Sequence, residues 1–129
     1  MADMLLDTTL FDDLRKGDAE ARKVVEAILD GEVKAVVSPL TVCELWQGDG
    51  IDRRTEIGFL SVLRFVEEAA PDIEIARTAG LWLTGSQQDG RRDAACVALI
   101  AATASHLGVP ICTRDDEAFE RFDVEISAY

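Results

Sequence analysis

The chain has 129 residues, a formal net charge of −12 and a hydrophobic content of 48%. This length favours a single domain over residues 1–129, and the apolar content excludes an intrinsically disordered chain. No apolar stretch approaches the roughly 20 residues that cross a bilayer, and the first residues lack the order of a signal peptide. We therefore expect a cytoplasmic protein that does not enter a membrane.

Strand-like and helical patterns alternate along the sequence. The predicted strands are 4–7, 33–37, 73–75, 109–113 and 124–126. The predicted helices are 10–15, 19–29, 39–46, 53–70, 76–87, 93–107 and 117–122. This alternation predicts an α/β protein with three layers, α/β/α, and a mostly parallel central sheet.

Local signals set several of these boundaries. Asp18 is a candidate N-cap for the helix 19–29, and Gly31 ends that helix. The helix 53–70 is predicted from apolar residues that recur every three residues, namely Ile57, Leu60, Leu63 and Val66. Pro71 ends this helix. The segment 88–90, Gln-Asp-Gly, is predicted as a loop.

Acidic residues stand at the junctions between these elements. Asp7 ends the first strand, Asp93 begins the apolar helix 93–107, and Asp115 follows the strand 109–113. Glu44 lies among apolar residues of the helix 39–46. Side chains from distant segments converge at the carboxyl ends of strands in an open α/β sheet, and several carboxylates there favour a hard divalent cation.

Four segments of the chain resemble, in order and spacing, the motifs of PIN domains. They are Leu-Leu-Asp-Thr-Thr-Leu at 5–10, Ser-Pro-Leu-Thr-Val-Cys-Glu-Leu at 38–45, Ile-Ala-Ala-Thr-Ala at 100–104, and Gly-Val-Pro-Ile-Cys-Thr-Arg-Asp at 108–115 with Phe119. The resemblance is greatest to the VapC-like toxins, which are ribonucleases of toxin–antitoxin pairs. It implies a catalytic set of Asp7, Glu44, Asp93 and Asp115 and a Mg²⁺ or Mn²⁺ cofactor. It also implies an RNA substrate, an antitoxin partner and a homodimer.

One position departs from the family pattern. The residue three places before Ile100 is usually acidic in PIN domains, and it is Val97 here. Asp93 lies one turn earlier on the same helix face, about 6 Å along the axis. The resemblance therefore implies metal binding by Asp7, Asp93 and Asp115, with Asp93 in a displaced position.

Each acidic candidate also has a simpler interpretation. Asp7 could form an Asx-turn with the two threonines that follow it, and Glu44 could belong to a solvated helix face. Asp93 is a good N-cap for the helix that follows, and capping alone would explain it. Asp116, beside Asp115, is an alternative ligand or a cap for the last helix.

Polar and basic residues near these positions are candidates for binding substrate. Thr113 could donate to a phosphate, orient a carboxylate, or be an ordinary residue at a strand end. Arg91, Arg92 and Arg114 could bind RNA phosphates, although ordinary surface charge balance is an equally simple interpretation.

The cysteines do not indicate a metal or redox site. Cys43, Cys96 and Cys112 are widely spaced, and no C-x-x-C pair is present. Each has apolar neighbours, so we expect three buried, inert thiols.

Three functions are compatible with the sequence. The first is a metal-dependent endoribonuclease, the toxin of a toxin–antitoxin pair, and the acidic charge would suit a basic antitoxin. The second is a PIN-fold binding module whose catalytic set has decayed, which Val97 and the acidic charge favour. The third is an aspartyl phosphotransferase with Asp7 as nucleophile, although that pattern requires a second Asp where the chain has Thr9.

Overall fold

The computed structural model describes residues 1–47, 50–85 and 92–129. Within these ranges the strands are β1 (Met4–Leu6), β2 (Ala35–Val37), β3 (Glu67–Glu68), β4 (Ile111–Cys112) and β5 (Ile126–Ser127). The helices are α1 (Thr8–Arg15), α2 (Ala19–Leu29), α3 (Pro39–Trp46), α4 (Arg53–Leu63), α5 (Ile73–Leu83), α6 (Ala94–Leu107) and α7 (Asp116–Phe119). The predicted loop at 88–90 and the candidate Arg91 lie outside the described residues.

The strands form one parallel sheet in the order β3-β2-β1-β4-β5. β1 lies at the centre, where Leu5 is opposite Val36 on one side and Ile111 on the other. Because every described strand points the same way, their carboxyl ends meet at one edge of the sheet.

Helices cover both faces of the sheet, which confirms the predicted α/β/α fold. Successive side chains of a strand point to opposite faces. On one face Leu5 packs with α5, α6 and α7, including Ile100 and Phe119. On the other face Leu6 packs with α1, α2 and α4, including Phe11. α6 is apolar around its whole circumference because it lies in the middle of its layer.

The predicted helix 53–70 was too long, and the predicted strand 73–75 was wrong. α4 ends at Leu63, and the chain then turns through backbone bonds from Phe65 to Val62 and from Val66 to Leu63. The exposed edge strand β3 follows, inside the predicted helix 53–70. The predicted strand 73–75 is instead the first turn of α5, because the Asp72 carboxylate caps that helix by accepting from the Ile75 N–H at 2.9 Å.

The environment of the cysteines differs in part from the prediction. Cys112 is buried and Cys96 is half-buried, whereas Cys43 is exposed. The expectation of three buried thiols was therefore wrong for Cys43, whose position on α3 faces outward. None of the helices in the described ranges is both long enough and apolar enough to span a membrane.

Candidate active site

The central residues of the site lie at the ends of two neighbouring strands. Asp7 follows β1 and Thr113 follows β4, and the two strands are paired through Leu6 and Cys112. The backbone N–H of Asp7 donates to the Cys112 carbonyl at 3.1 Å, which continues the strand pairing to the base of the acid. Both side chains are fully buried. The Asp7 side chain does not cap α1, so the Asx-turn interpretation does not describe it.

Glu44 reaches the site from α3, which begins directly after β2. Ser38 caps this helix by accepting from the Leu40 N–H at 3.1 Å, and Pro39 occupies the first turn, where a missing N–H has no cost. The cap fixes the direction in which α3 leaves the sheet edge. Glu44 lies in the second turn, and its side chain is 15% exposed.

Arg92 joins the carboxylates of Asp7, Glu44 and Asp115. Its Nη2 lies 3.1 Å from Asp7 Oδ1 and its Nη1 lies 3.2 Å from Asp7 Oδ2, a two-pronged ion pair. Nη2 also donates to Glu44 Oε1 at 2.8 Å, and Nη1 donates to Asp115 Oδ2 at 3.0 Å. The structure therefore brings together three of the four acidic residues that the sequence singled out.

The charges at this site shift the pKa values of two residues. Burial opposes the charge of Arg92, but hydrogen bonds with Asp7 and Glu44 and their negative charges outweigh it and raise its pKa. Burial raises the pKa of Glu44, the contact with Arg92 offsets part of that shift, and the charge of Asp7 adds to it. Three formal negative charges face one positive charge, so the cluster keeps a net negative charge.

The donor chemistry of this cluster fits a hard divalent cation, because carboxylate oxygens are the ligands that Mg²⁺ and Mn²⁺ prefer. The oxygens of Asp7, Glu44 and Asp115 lie at hydrogen-bond distance from the guanidinium nitrogens of Arg92. Within residues 1–47, 50–85 and 92–129, no three Asp, Glu, Cys or His side chains are grouped so that they could hold a metal ion. With the Arg92 guanidinium between them, the carboxylates of Asp7, Glu44 and Asp115 are not arranged to hold a metal ion. They could become its ligands only in an arrangement without that guanidinium.

Comparison with known proteins identifies the fold and the family. A family model of the PIN domain matches residues 4–125. The chain belongs to the PIN domain family. This confirms the resemblance seen in the sequence motifs. No curated protein matched the chain.

Several solved structures are similar to this PIN domain. VapBC from Salmonella typhimurium bound to DNA has 20% identity and a TM-score of 0.77, covering 99% of this chain and 98% of that chain. A toxin–antitoxin complex from Klebsiella pneumoniae has 20% identity and a TM-score of 0.72, covering 97% of each chain. FitAcB from Neisseria gonorrhoeae has 25% identity and a TM-score of 0.70, covering 95% of each chain. These likenesses support the fold of the PIN domain.

Val97, the residue at the third acidic position of the PIN pattern, lies in an apolar environment. Val97 is 2% exposed and packs in the core that contains Leu5 and Phe119. Asp93 is the N-cap of α6, and its Oδ1 accepts from the Cys96 N–H at 3.1 Å. The structure therefore places Asp93 at the helix start beside Arg92, with one of its oxygens committed to the cap.

Arg114, a candidate for substrate binding, belongs to a second ion network of the PIN domain. Its Nη1 donates to Asp18 Oδ2 at 2.9 Å and to Asp13 Oδ2 at 3.2 Å. Its guanidinium also lies over the ring of Tyr129, 4.3 Å from the centroid, and the Tyr129 hydroxyl donates to Asp13. Arg114 thus ties the segment after β4 to α1 and to the start of α2.

The acidic residues were predicted from the sequence, whereas Arg92 was expected either to bind RNA phosphates or to balance surface charge, and neither expectation included its contacts with Asp7 and Glu44. The local sequence around Arg92 contains no signal for its contacts, because Asp7 and Glu44 lie 85 and 48 residues away. The convergence of strand ends does predict an excess of negative charge in one place, and such an excess requires a cation. That argument applies equally to a metal ion and to an arginine.

Proposed function

We propose that this PIN domain is a metal-dependent endoribonuclease that hydrolyses RNA phosphodiester bonds. The observation that supports this proposal is the meeting of Asp7, Glu44 and Asp115, carried by three separate segments, around one positive centre. Three carboxylates against the single charge of Arg92 leave a net negative charge in a partly buried place, which costs folding free energy unless a further cation is taken up. Acidic side chains from separate segments that gather at the carboxyl ends of parallel strands are typical of functional sites.

The residues of the site take distinct roles in this proposal. Asp7 and Asp115, two of the three metal ligands expected from the sequence, would hold Mg²⁺ or Mn²⁺ together with Glu44. Asp93, the third expected ligand, has one oxygen committed to the cap of α6 and would contribute from the start of that helix. The chemistry that a divalent cation would supply there is a lowered pKa of a water molecule and neutralisation of phosphate charge. Thr113 holds Asp7 in place through a hydrogen bond of 2.8 Å between its hydroxyl and Oδ2.

The basic residues near the cluster are proposed to contact RNA. Arg92 lies among the clustered carboxylates with 18% of its side chain exposed, and it is the better placed of the two for a phosphate that enters the site. Arg114 lies on the exposed surface that follows β4 and would contact RNA further from the point of cleavage.

The partners of the chain follow from its charge and its relatives. A formal charge of −12 attracts a basic protein, and we propose that the chain is the toxin of a toxin–antitoxin pair with a basic antitoxin. The similar structure from Klebsiella pneumoniae is itself a toxin–antitoxin complex, which supports this proposal. We further propose a homodimer that acts in the cytoplasm.

A catalytically decayed PIN-fold module is the second candidate. Two observations favour it, namely the apolar residue Val97 at the third acidic position and the ion pairs that Arg92 makes with the other carboxylates. In this interpretation the cluster serves folding, and the chain acts by binding protein or RNA.

Cleavage of single-stranded RNA with added Mn²⁺ or Mg²⁺ separates these two candidates. We expect wild type to cleave and Asp7→Asn to lose at least about a hundredfold in rate, because the acid at the centre of the cluster is removed. Asp12→Asn makes the same chemical change on the exposed face of α1 and should cleave like wild type. Absence of metal-dependent cleavage by folded wild-type protein would reject the ribonuclease and favour the binding module.

A further inference from the structure

The guanidinium of Arg92 engages the oxygens that a metal ion would need. Both oxygens of Asp7, both oxygens of Glu44 and Oδ2 of Asp115 lie between 2.8 and 3.3 Å from Arg92 nitrogens. A Mg²⁺ ion requires such oxygens at about 2.1 Å and in near-octahedral geometry. The same atoms cannot satisfy both cations at these distances.

We propose that Arg92 is an internal counter-ion that competes with the divalent cation for Asp7, Glu44 and Asp115. The two cations bind in mutually exclusive states, and Arg92 thereby sets the metal affinity of the chain. The inference rests on the proposed function in one respect, since the carboxylates must be able to take up a divalent cation.

The charge balance of the cluster opposes simultaneous binding of the Arg92 guanidinium and a divalent cation. With Arg92 in place, the three carboxylates already have one positive charge among them. A dication entering beside the guanidinium would face like charge at contact distance in a partly buried site, where screening is weak. Removal of the guanidinium leaves three carboxylates that repel one another and bind a dication more strongly. Metal entry and departure of Arg92 are therefore coupled.

The surroundings of Arg92 allow it to occupy either state. Its side chain is 18% exposed, so it has a route to water, whereas Asp7 beneath it is fully buried. The ring of Phe119 lies 5.6 Å from the Arg92 guanidinium carbon and supports it over the cluster. Asp93, the next residue, is fixed as the N-cap of α6, so Arg92 can leave by rotation of its side chain while the helix stays in place.

The competition predicts a weakened apparent affinity for metal. When a binding-competent state is only a fraction of the population, the apparent dissociation constant rises by the inverse of that fraction. If Arg92 occupies the cluster in nine molecules of ten, its removal strengthens metal binding about tenfold. The loss of a nearby positive charge acts in the same direction.

Calorimetric titration of RNA-free protein with Mn²⁺ tests the competition. We expect Arg92→Gln to bind Mn²⁺ at least about tenfold more tightly than wild type. Arg92→Lys keeps the charge but cannot span three carboxylates, so its affinity should lie between the two. Arg22→Gln, an identical change at an exposed site on α2, should bind like wild type. Equal Mn²⁺ affinities for wild type, Arg92→Lys and Arg92→Gln would overturn the proposal, as would absence of binding by all three.

A second measurement is made on the wild-type chain and needs the Arg92→Lys variant only to assign one signal. The Arg92 Nε–H resonance in a ¹⁵N-labelled sample is identified as the signal that Arg92→Lys lacks. We expect this signal to be protected from solvent exchange without metal and to lose that protection on saturation with Mg²⁺. Protection that persists at saturation would overturn the proposal. If the metal affinities follow the expected order but no variant cleaves RNA, only the ribonuclease proposal fails.

Discussion

The hydroxyl of Thr113 donates to Oδ2 of Asp7 at 2.8 Å, and both side chains are fully buried at the ends of adjacent strands. The same hydroxyl oxygen accepts from the backbone N–H of Asp115 at 2.9 Å. One side chain thus fixes the position of two of the three clustered acids. Of the interactions that the sequence allowed Thr113, the structure shows the hydrogen bond that orients a carboxylate.

Replacement of Thr113 by Val should therefore affect both stability and activity. The buried Asp7 oxygen and the Asp115 N–H lose a partner, so we expect the free energy of unfolding to fall by about 1–3 kcal/mol. We expect RNA cleavage to fall about 10- to 100-fold, as for other residues that orient metal ligands. Urea denaturation and a cleavage assay measure the two effects.

Thr113→Ser is the matched control, because it keeps the hydroxyl and removes only a methyl group. Its cleavage rate should stay within a few-fold of wild type. If Val and Ser variants lose activity equally, packing by the methyl group and not the hydrogen bond positions Asp7.

Substitutions of Asp93 separate its capping role from a charge role. Asp93→Ala removes the acceptor for the Cys96 N–H and should lower the free energy of unfolding by about 1 kcal/mol. Asp93→Asn keeps a good capping acceptor without the charge, so its stability should stay within a few tenths of a kcal/mol of wild type. Urea denaturation of the three proteins measures this difference.

The Asn variant then reports on catalysis without the complication of unfolding. Loss of RNA cleavage by a stable Asp93→Asn protein supports a charge role in the site, and unchanged cleavage assigns Asp93 to capping alone. An Asn variant that is as unstable as the Ala variant would contradict the cap.

Asp18 gives the chain a stability contribution that depends on pH. The hydrogen bond from Arg114, together with the Ala21 N–H, lowers the pKa of Asp18 from 3.8 to about 2. A carboxyl whose pKa is lowered in the folded state stabilises that state above its unfolded pKa, and the contribution disappears as the pH falls through about 2. The contribution is therefore complete at pH 7 and fades in acid.

Asp18→Asn should show this pH dependence by comparison with wild type. The variant keeps a capping oxygen for α2 but loses the charge that faces Arg114, so we expect a lower midpoint of thermal unfolding at pH 7. The difference from wild type should shrink between pH 4 and pH 2. Thermal unfolding followed by circular dichroism across this range measures it, and a difference that is constant with pH would contradict the assignment.

The main features of the fold could be predicted from local patterns. The helix at 19–29 and the helix at 39–46 agree with α2 and α3 because their first turns carry Asp18 and Ser38 as caps. The carboxyl-terminal boundary of α6 was also predictable, since Gly108 ends it with a φ of 70°, which only glycine adopts without strain.

The region after α4 could not be predicted because two patterns overlap there. Leu63 and Val66 continue a three-residue apolar spacing into the turn that leads to β3, so helix and turn carry the same signal. β3 itself consists of exposed Glu67 and Glu68, which pair with β2 only through the backbone. Tertiary pairing decided the structure where local preference did not.

The acidic residues of the candidate site could be predicted from the sequence, but the Arg92 guanidinium between them could not. Strand ends converge by topology, which is why Asp7 and Asp115 could be placed together from the sequence. The position of the Arg92 guanidinium depends on side-chain rotation and on the charge of three remote segments. No periodicity in the sequence encodes such a contact.

The exposure of Cys43 has a practical consequence for chemical labelling. Burial raises the pKa of the Cys96 and Cys112 thiols to about 12, so at neutral pH almost none of either is the reactive thiolate. A maleimide fluorophore is thereby directed to Cys43, one residue before Glu44, in the natural sequence. The emission of the attached dye would change when a divalent cation replaces the Arg92 guanidinium at the neighbouring carboxylates.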